Sequence, residues 1–82
     1  MGWNKMNTFN IDGKKVDETY LKETFDLPVF NGDFEDIYQY LCGFYTKTII
    51  NITNSTQIDQ ELINAFERAS EDNPYVKVNI ED

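Results

Sequence analysis

The segment Thr48-Ile49-Ile50-Asn51-Ile52 constrains this chain more than any other. Its β-branched residues favour extended backbone, and a nearly continuous apolar run is what a strand covered on both faces requires. That places it centrally in a parallel sheet. With 82 residues in all, there is room for one small domain, in which only roughly 60% of the unfolded chain's surface is buried on folding. Every other element must pack on this strand.

Upstream, Thr8-Phe9-Asn10-Ile11 alternates apolar and polar and runs into Asp12-Gly13, a turn pair, so a first strand is expected over about Met6 to Ile11. Asp17 can cap a helix, Val16 can staple onto it, and Tyr20, Leu21, Thr24 and Phe25 give it an apolar stripe. Leu27-Pro28 should end that helix, because Pro28 lacks a donor and pushes Leu27 out of the helical region. Leu27 to Gly32 is then an ordered loop and Asp33 an N-cap. Phe34, Ile37, Tyr38, Leu41 and Cys42 have the spacing of a second helix, which Gly43 can terminate.

After the central strand, Ile58, Leu62, Ile63, Phe66 and Ala69 share one face of a third helix whose outer face carries Asp59, Glu61, Glu67 and Arg68. Asn73-Pro74 stops it. Tyr75 to Ile80 alternates as a last strand, half buried through Val76, Val78 and Ile80. The order strand, helix, helix, strand, helix, strand puts a helix in each crossover, which favours parallel pairing with right-handed connections. The expected fold is α/β: a small three-stranded parallel sheet packed with helices, its outer strands facing helices too. It forms a single domain over 1–82, with residues 1–5 disordered.

Composition narrows the function. Apolar residues at 40% and aromatics at 15% exclude a disordered tail or a collagen-like repeat. No apolar run reaches the roughly 18 to 20 residues of a membrane helix, and the first residues lack the apolar core of a secretion signal, so a cytoplasmic protein is expected. Asn51-Ile52-Thr53 and Asn54-Ser55-Thr56 match the glycosylation pattern by coincidence on this reading, and Met6 departs from the myristoylation pattern. Fifteen acids against 7 bases, with no histidine, give a net charge of -8. Such a field repels nucleic acid and steers a basic protein inward. Glu23 to Thr46 holds Glu23, Asp26, Asp33, Glu35 and Asp36 without a base. The plainer account of this acidity is a solvated surface that keeps a small protein soluble.

The residues for catalysis are sparse. Without histidine the usual general base and commonest metal ligand are missing. The lone Cys42 cannot form an internal disulfide or a zinc site, and its place on the apolar side of the second helix makes it a core filler. Gly13 and Gly32 are isolated, so no phosphate loop is present. Asp33, Glu35 and Asp36 could form an acid-base set, but three acids in a first helical turn are explained by the dipole they offset. No enzyme activity, cofactor or metal is expected. Recognition is the better reading, because Phe30, Tyr38, Tyr40, Phe44 and Tyr45 cannot all face inward from one loop and one short helix. Tyr40, pointing away from Ile37 and Leu41, is the best exposed anchor.

With Ile11-Asp12-Gly13, Leu27-Pro28-Val29-Phe30-Asn31-Gly32, the Phe34 to Gly43 helix and Ile63-Asn64-Ala65-Phe66-Glu67-Arg68-Ala69, the chain resembles the barstar family of ribonuclease inhibitors over most of Ile11 to Ile80. The resemblance implies a small acidic cytoplasmic inhibitor, monomeric when free, with a three-stranded parallel sheet. The loop before the second helix and the helix itself would fill the active site of a basic ribonuclease, an acid standing in for phosphate. That family is itself the standard example of charge-steered association, so steering enters here as part of the likeness. The implied contact residues are Phe30, Asp33, Glu35, Asp36, Tyr38, Gln39 and Tyr40.

Matching Phe34, Ile37 and Leu41 to the family's buried positions drops one residue after Gly32. Glu35 then falls at the first acidic contact, Tyr38 at a tryptophan-like position, and Gln39 replaces the key aspartate. An ungapped match puts Asp36 and Tyr40 at the two acidic positions but buries Glu35, so the gapped register is preferred. Arg68 stands where the family often offers another acid, and Phe30 lacks a tyrosine's hydroxyl. Truncating one side of a buried charge pair costs about 2 to 5 kcal/mol, so weak inhibition of the usual family partner is expected. The short stretch between the second strand and the third helix implies the loss of a small helix. A different basic toxin or partner, bound without inhibition of a ribonuclease, is the alternative.

Overall fold

The computed structural model describes residues 6–82, so the expectation for residues 1–5 lies outside the described residues. The elements are β1 (Asn7–Asp12), α1 (Glu18–Thr24), α2 (Phe34–Cys42), β2 (Thr48–Thr53), a 3-10 turn (Ser55–Gln57), α3 (Gln60–Asp72) and β3 (Val76–Ile80). The three strands form one parallel sheet in the order β1-β2-β3. The fold is α/β with the predicted order of elements. Where a small helix was expected to be lost, the single 3-10 turn remains.

Among the described residues the helices cover one face of the sheet only, which corrects the reading of β2 as buried on both. Along β2, Thr48, Ile50 and Ile52 are buried, whereas Ile49 and Asn51 are half-buried and Thr53 is exposed. Right-handed crossovers that step in one direction along a sheet set their helices down on the same side, and β1-β2-β3 is such a progression. Ile11, Ile50, Ile52 and Val76 therefore meet Leu21 and Phe25 from the first helical segment, Ile37 and Leu41 of α2, and Leu62, Phe66 and Ala69 of α3 in one core. On the opposite face the register aligns Asn10, Asn51 and Asn79. Asn79 Nδ2 donates to Asn51 Oδ1 at 3.0 Å, and Asn51 Nδ2 donates to Asn10 Oδ1 at 3.1 Å, a polar ladder across all three strands.

Each helix starts on an aspartate. Asp17 accepts from the Tyr20 N–H at 2.7 Å, Asp33 from the Glu35 N–H at 3.0 Å and Asp59 from the Glu61 N–H at 3.0 Å, satisfying donors that a helix cannot pair internally. The ends differ from expectation. The first helix closes at Thr24, before Leu27-Pro28, because Asp26 turns left-handed at φ 52°. The Asp26 N–H then reaches the Glu23 carbonyl and the Leu27 N–H the Lys22 carbonyl, a Schellman closure with an aspartate in the usual glycine position. Gly43 ends α2 in right-handed backbone, so no glycine freedom is used there. Instead the buried Asn73 donates from Nδ2 to the Leu41 carbonyl at 3.0 Å and the Phe44 carbonyl at 3.1 Å, and accepts from the Tyr75 N–H.

The carboxyl ends of β1 and β2 are tied together at Gly13, whose Cα lies so near the Asn54 carbonyl that any side chain would collide with it. Asp12 accepts there from Asn54 Nδ2 at 2.9 Å and the Lys14 N–H at 3.0 Å. Those donors, Asn54 foremost, hold its carboxyl below the usual carboxylate range.

Candidate functional site

The predicted contact residues lie on the loop before α2 and on α2 itself, but they do not share one surface. Phe30 is only 8% exposed and belongs to the core, whereas its neighbour Val29 is 69% exposed. Phe30 is held by the core while Val29 beside it faces solvent. Phe30 is thereby corrected from a contact residue to the loop's anchor. Gly32 follows at φ +83°, a left-handed turn where a side chain would also press on the Glu18 carboxylate. That turn delivers Asp33 to the start of α2.

Tyr40 is also corrected. It is half-buried, with its ring edge-on to Phe25 at 6.0 Å and to Phe44 at 5.2 Å. Burial, and then the Asp26 charge, raise its hydroxyl pKa. The helical wheel placed Tyr40 away from Ile37 and Leu41, but Phe25 and Phe44 arrive from outside the helix to cover it. Asp33, Glu35, Asp36 and Gln39 are exposed, and Tyr38 is half-buried with its hydroxyl outward.

The seam between α2 and α3 carries a chain of polar contacts absent from any sequence window. Arg68 donates from its guanidinium to Glu35 Oε1 at 3.2 Å and stands 4.3 Å from the centre of the Tyr38 ring. The Tyr38 hydroxyl donates to the Asp72 carboxylate. Hydrogen bonding to Asp72, with a lesser contribution from Cys42, pushes the Tyr38 pKa up to about 12, and the bond to Glu35 raises that of Arg68. The stretch without a base is thus not free of one in space. Sequence reasoning singled out Arg68 but not Asp72 or Val29; helical spacing from Arg68 could have found Asp72, whereas two adjacent apolar residues in a loop carry no signal for which of Val29 and Phe30 faces out.

Two shallow grooves meet at Gly32 and Phe34. One, of about 450 Å³, runs along the seam between Asp33, Glu35, Glu61, Asn64 and Arg68. The other, of about 510 Å³, has Val16, Leu21 and Phe30 in its lining and Asp17, Glu18 and Asp59 among its polar groups. This end of the sheet therefore gathers the starts of all three helices and their acids. Of the acids at this end, the Asp33 carboxylate is used as a cap and Glu35 is paired with Arg68. Among the described residues no three metal-ligating side chains converge, and no helix is long and apolar enough to cross a membrane. Comparison of the chain with protein-family models, with curated proteins and with solved structures found no match.

Proposed function

We propose that this chain is a barstar-like inhibitor that binds a cognate basic ribonuclease and occludes its active site inside the producing cell. The observation that carries the reading is the surface of α2 and its N-cap, where Asp33, Glu35, Asp36 and Gln39 are exposed and Tyr38 is half-buried, on a three-stranded parallel sheet domain of net charge -8. The pattern of burial supports the gapped register: Ile37 and Leu41 are fully buried, Phe34 half-buried and Glu35 exposed. In this mechanism the acids attract the basic cleft before contact, and α2 then enters it and blocks the phosphate-binding positions. The contact set is Val29, Asp33, Glu35, Asp36, Tyr38 and Gln39, with Phe30 and Tyr40 holding the loop and helix from behind.

One observation favours the second reading, an immunity protein or interaction module for a different basic partner with no effect on a ribonuclease. Gln39 is uncharged and Arg68 pairs with Glu35, which lowers the negative charge that this face presents to a basic cleft. One experiment separates the two. The immobilised protein captures partners from source-cell lysate, and the captured fraction is assayed for ribonuclease activity before and after release at high salt. Activity that emerges on release and is silenced by adding the protein back supports inhibition. A basic partner without masked activity supports the second reading. Asp36→Ala and Tyr38→Ala should each weaken capture in either case; unchanged capture and unchanged salt dependence would place the interface elsewhere.

A further inference from the structure

The two edges of the sheet are treated differently. On β1 the groups that point away from β2 belong to Thr8, Asn10 and Asp12, since Asn7 and Gly13 bond to the β2 side. The Tyr20 hydroxyl closes this edge: it donates to the Asn10 carbonyl at 3.3 Å and accepts from the Asp12 N–H at 3.0 Å. On β3, Tyr75 and Glu81 bond toward β2, so by alternation Val76, Val78 and Ile80 point their backbone groups outward. The Val76 N–H returns to Asn73. Among the described residues no strand pairs with this side, and Ile80 is 41% exposed beside it. An unpaired edge with open N–H and C=O groups is a template for a further strand.

We infer that the outer edge of β3 binds an extended segment of a basic partner protein as a fourth strand. The groove between β3 and α3, about 310 Å³, is lined by Glu67, Ser70, Glu71, Val78 and Ile80. Side chains entering it meet two carboxylates above an apolar floor, which suits lysine or arginine: the aliphatic stem lies on Val78 and Ile80 and the cation reaches Glu67 or Glu71. On the open face of the sheet the neighbour is Lys77, which disfavours a second row of cations there. The segment is therefore basic on alternate residues and neutral on the others. A second copy of this chain would set these acids against each other across the edge. The surface is separate from the α2 face, because Glu67 and Glu71 lie on one flank of α3 and Glu61, Arg68 and Asp72 on the other.

The probe is a short blocked peptide of alternating lysine and threonine, titrated into isotope-labelled full-length protein, with the same peptide N-methylated at alternate amides as control. The expected result is new exchange protection at the Val78 and Ile80 amides. The methylated peptide should not bind, and Glu67→Lys with Glu71→Lys should weaken binding roughly tenfold or more. Both substitutions fall on exposed positions, and α2 variants such as Asp36→Ala should leave this binding unchanged. Equal binding of the methylated peptide, perturbations centred on Asp33 to Tyr40, self-association through β3, or no protection at Val78 and Ile80 would each overturn the inference.

Discussion

Arg68 reaches back across 33 positions to hold the Glu35 carboxylate at 3.2 Å, so the exposed face of α2 carries its own counter-charge. Both groups are about half exposed, and pairs of this kind add little to stability because water screens them. Their effect is on what the face attracts. Arg68→Ala should leave the thermal midpoint nearly unchanged, increase the association rate with a basic partner and steepen its salt dependence. Stopped-flow association at several ionic strengths checks this.

Gln39 is exposed on the same helix, at the position where the family resemblance implies an aspartate. If α2 enters the phosphate-binding region of a basic ribonuclease, Gln39→Asp should tighten inhibition by about tenfold or more, since close charge pairs in such interfaces couple by about 1.5 kcal/mol upward. Titration of ribonuclease activity with the variant and the parent protein measures it.

Asn73 is the most connected buried polar side chain, joining the end of α2 to the start of β3. Asn73→Ala leaves the Phe44 carbonyl and the Tyr75 N–H without this partner and the Leu41 carbonyl with only the long bond from the Phe44 N–H at 3.4 Å, and each unsatisfied buried group costs about 1 to 3 kcal/mol. A loss of about 2 to 4 kcal/mol is expected, because part of the loop can rehydrate. Urea denaturation with an unchanged slope would show that the change is one of stability.

Asp26 occupies left-handed backbone at φ 52°, where a side chain costs roughly 1 kcal/mol relative to glycine. Asp26→Gly should stabilise the chain by about 0.5 to 1 kcal/mol and leave the closure of the first helix intact. It also removes one of the two causes that raise the Tyr40 pKa, so that hydroxyl should titrate at lower pH. Thermal denaturation and ultraviolet titration test the two effects.

Tyr38 titrates at about 12 in the folded chain against an ordinary 10.0, chiefly through its bond to Asp72. A raised pKa in an acid that is neutral when protonated means the folded state keeps its proton longer. The contribution is fully present below pH 10 and is lost as pH rises from about 10 to 12. Tyr40 shifts in the same direction, so the difference between the parent and Tyr38→Phe isolates Tyr38. The variant should show a shallower loss of stability across that interval, and Asp72→Asn should bring the Tyr38 absorbance transition back toward 10.

Much of the fold was legible because the local rules agree. Asp17 and Asp33 cap where their side chains predict, the stripes of α2 and α3 bury Ile37, Leu41, Leu62 and Phe66, and Pro74 separates α3 from β3, whereas Asp59, expected on the outer face of α3, is its cap and leaves Ile58 ahead of the helix. The misreadings have particular causes. Thr48 to Ile52 reads as apolar throughout, yet Asn51 at its centre marks the open face, where it joins Asn10 and Asn79. Leu27-Pro28 marks a helix boundary, but the actual stop is Asp26, whose left-handed backbone has no firm sequence signature. Of the candidate site, the loop and helix were legible as a region; which side chains face outward was not.

Periodicity, capping and turn chemistry act between residues a few positions apart, so the sequence by itself determined the elements, their order, the parallel sheet and the excess of acid over base. The tertiary structure alone decided how distant segments meet. It packed the half-buried Tyr40 against Phe25 and Phe44, set Arg68 on Glu35, closed the β1 edge with Tyr20 and, among the described residues, left the outer edge of β3 unpaired. Each of these depends on which face of one element the crossovers bring against another, and a helical wheel or a strand alternation contains no neighbour from elsewhere in the chain.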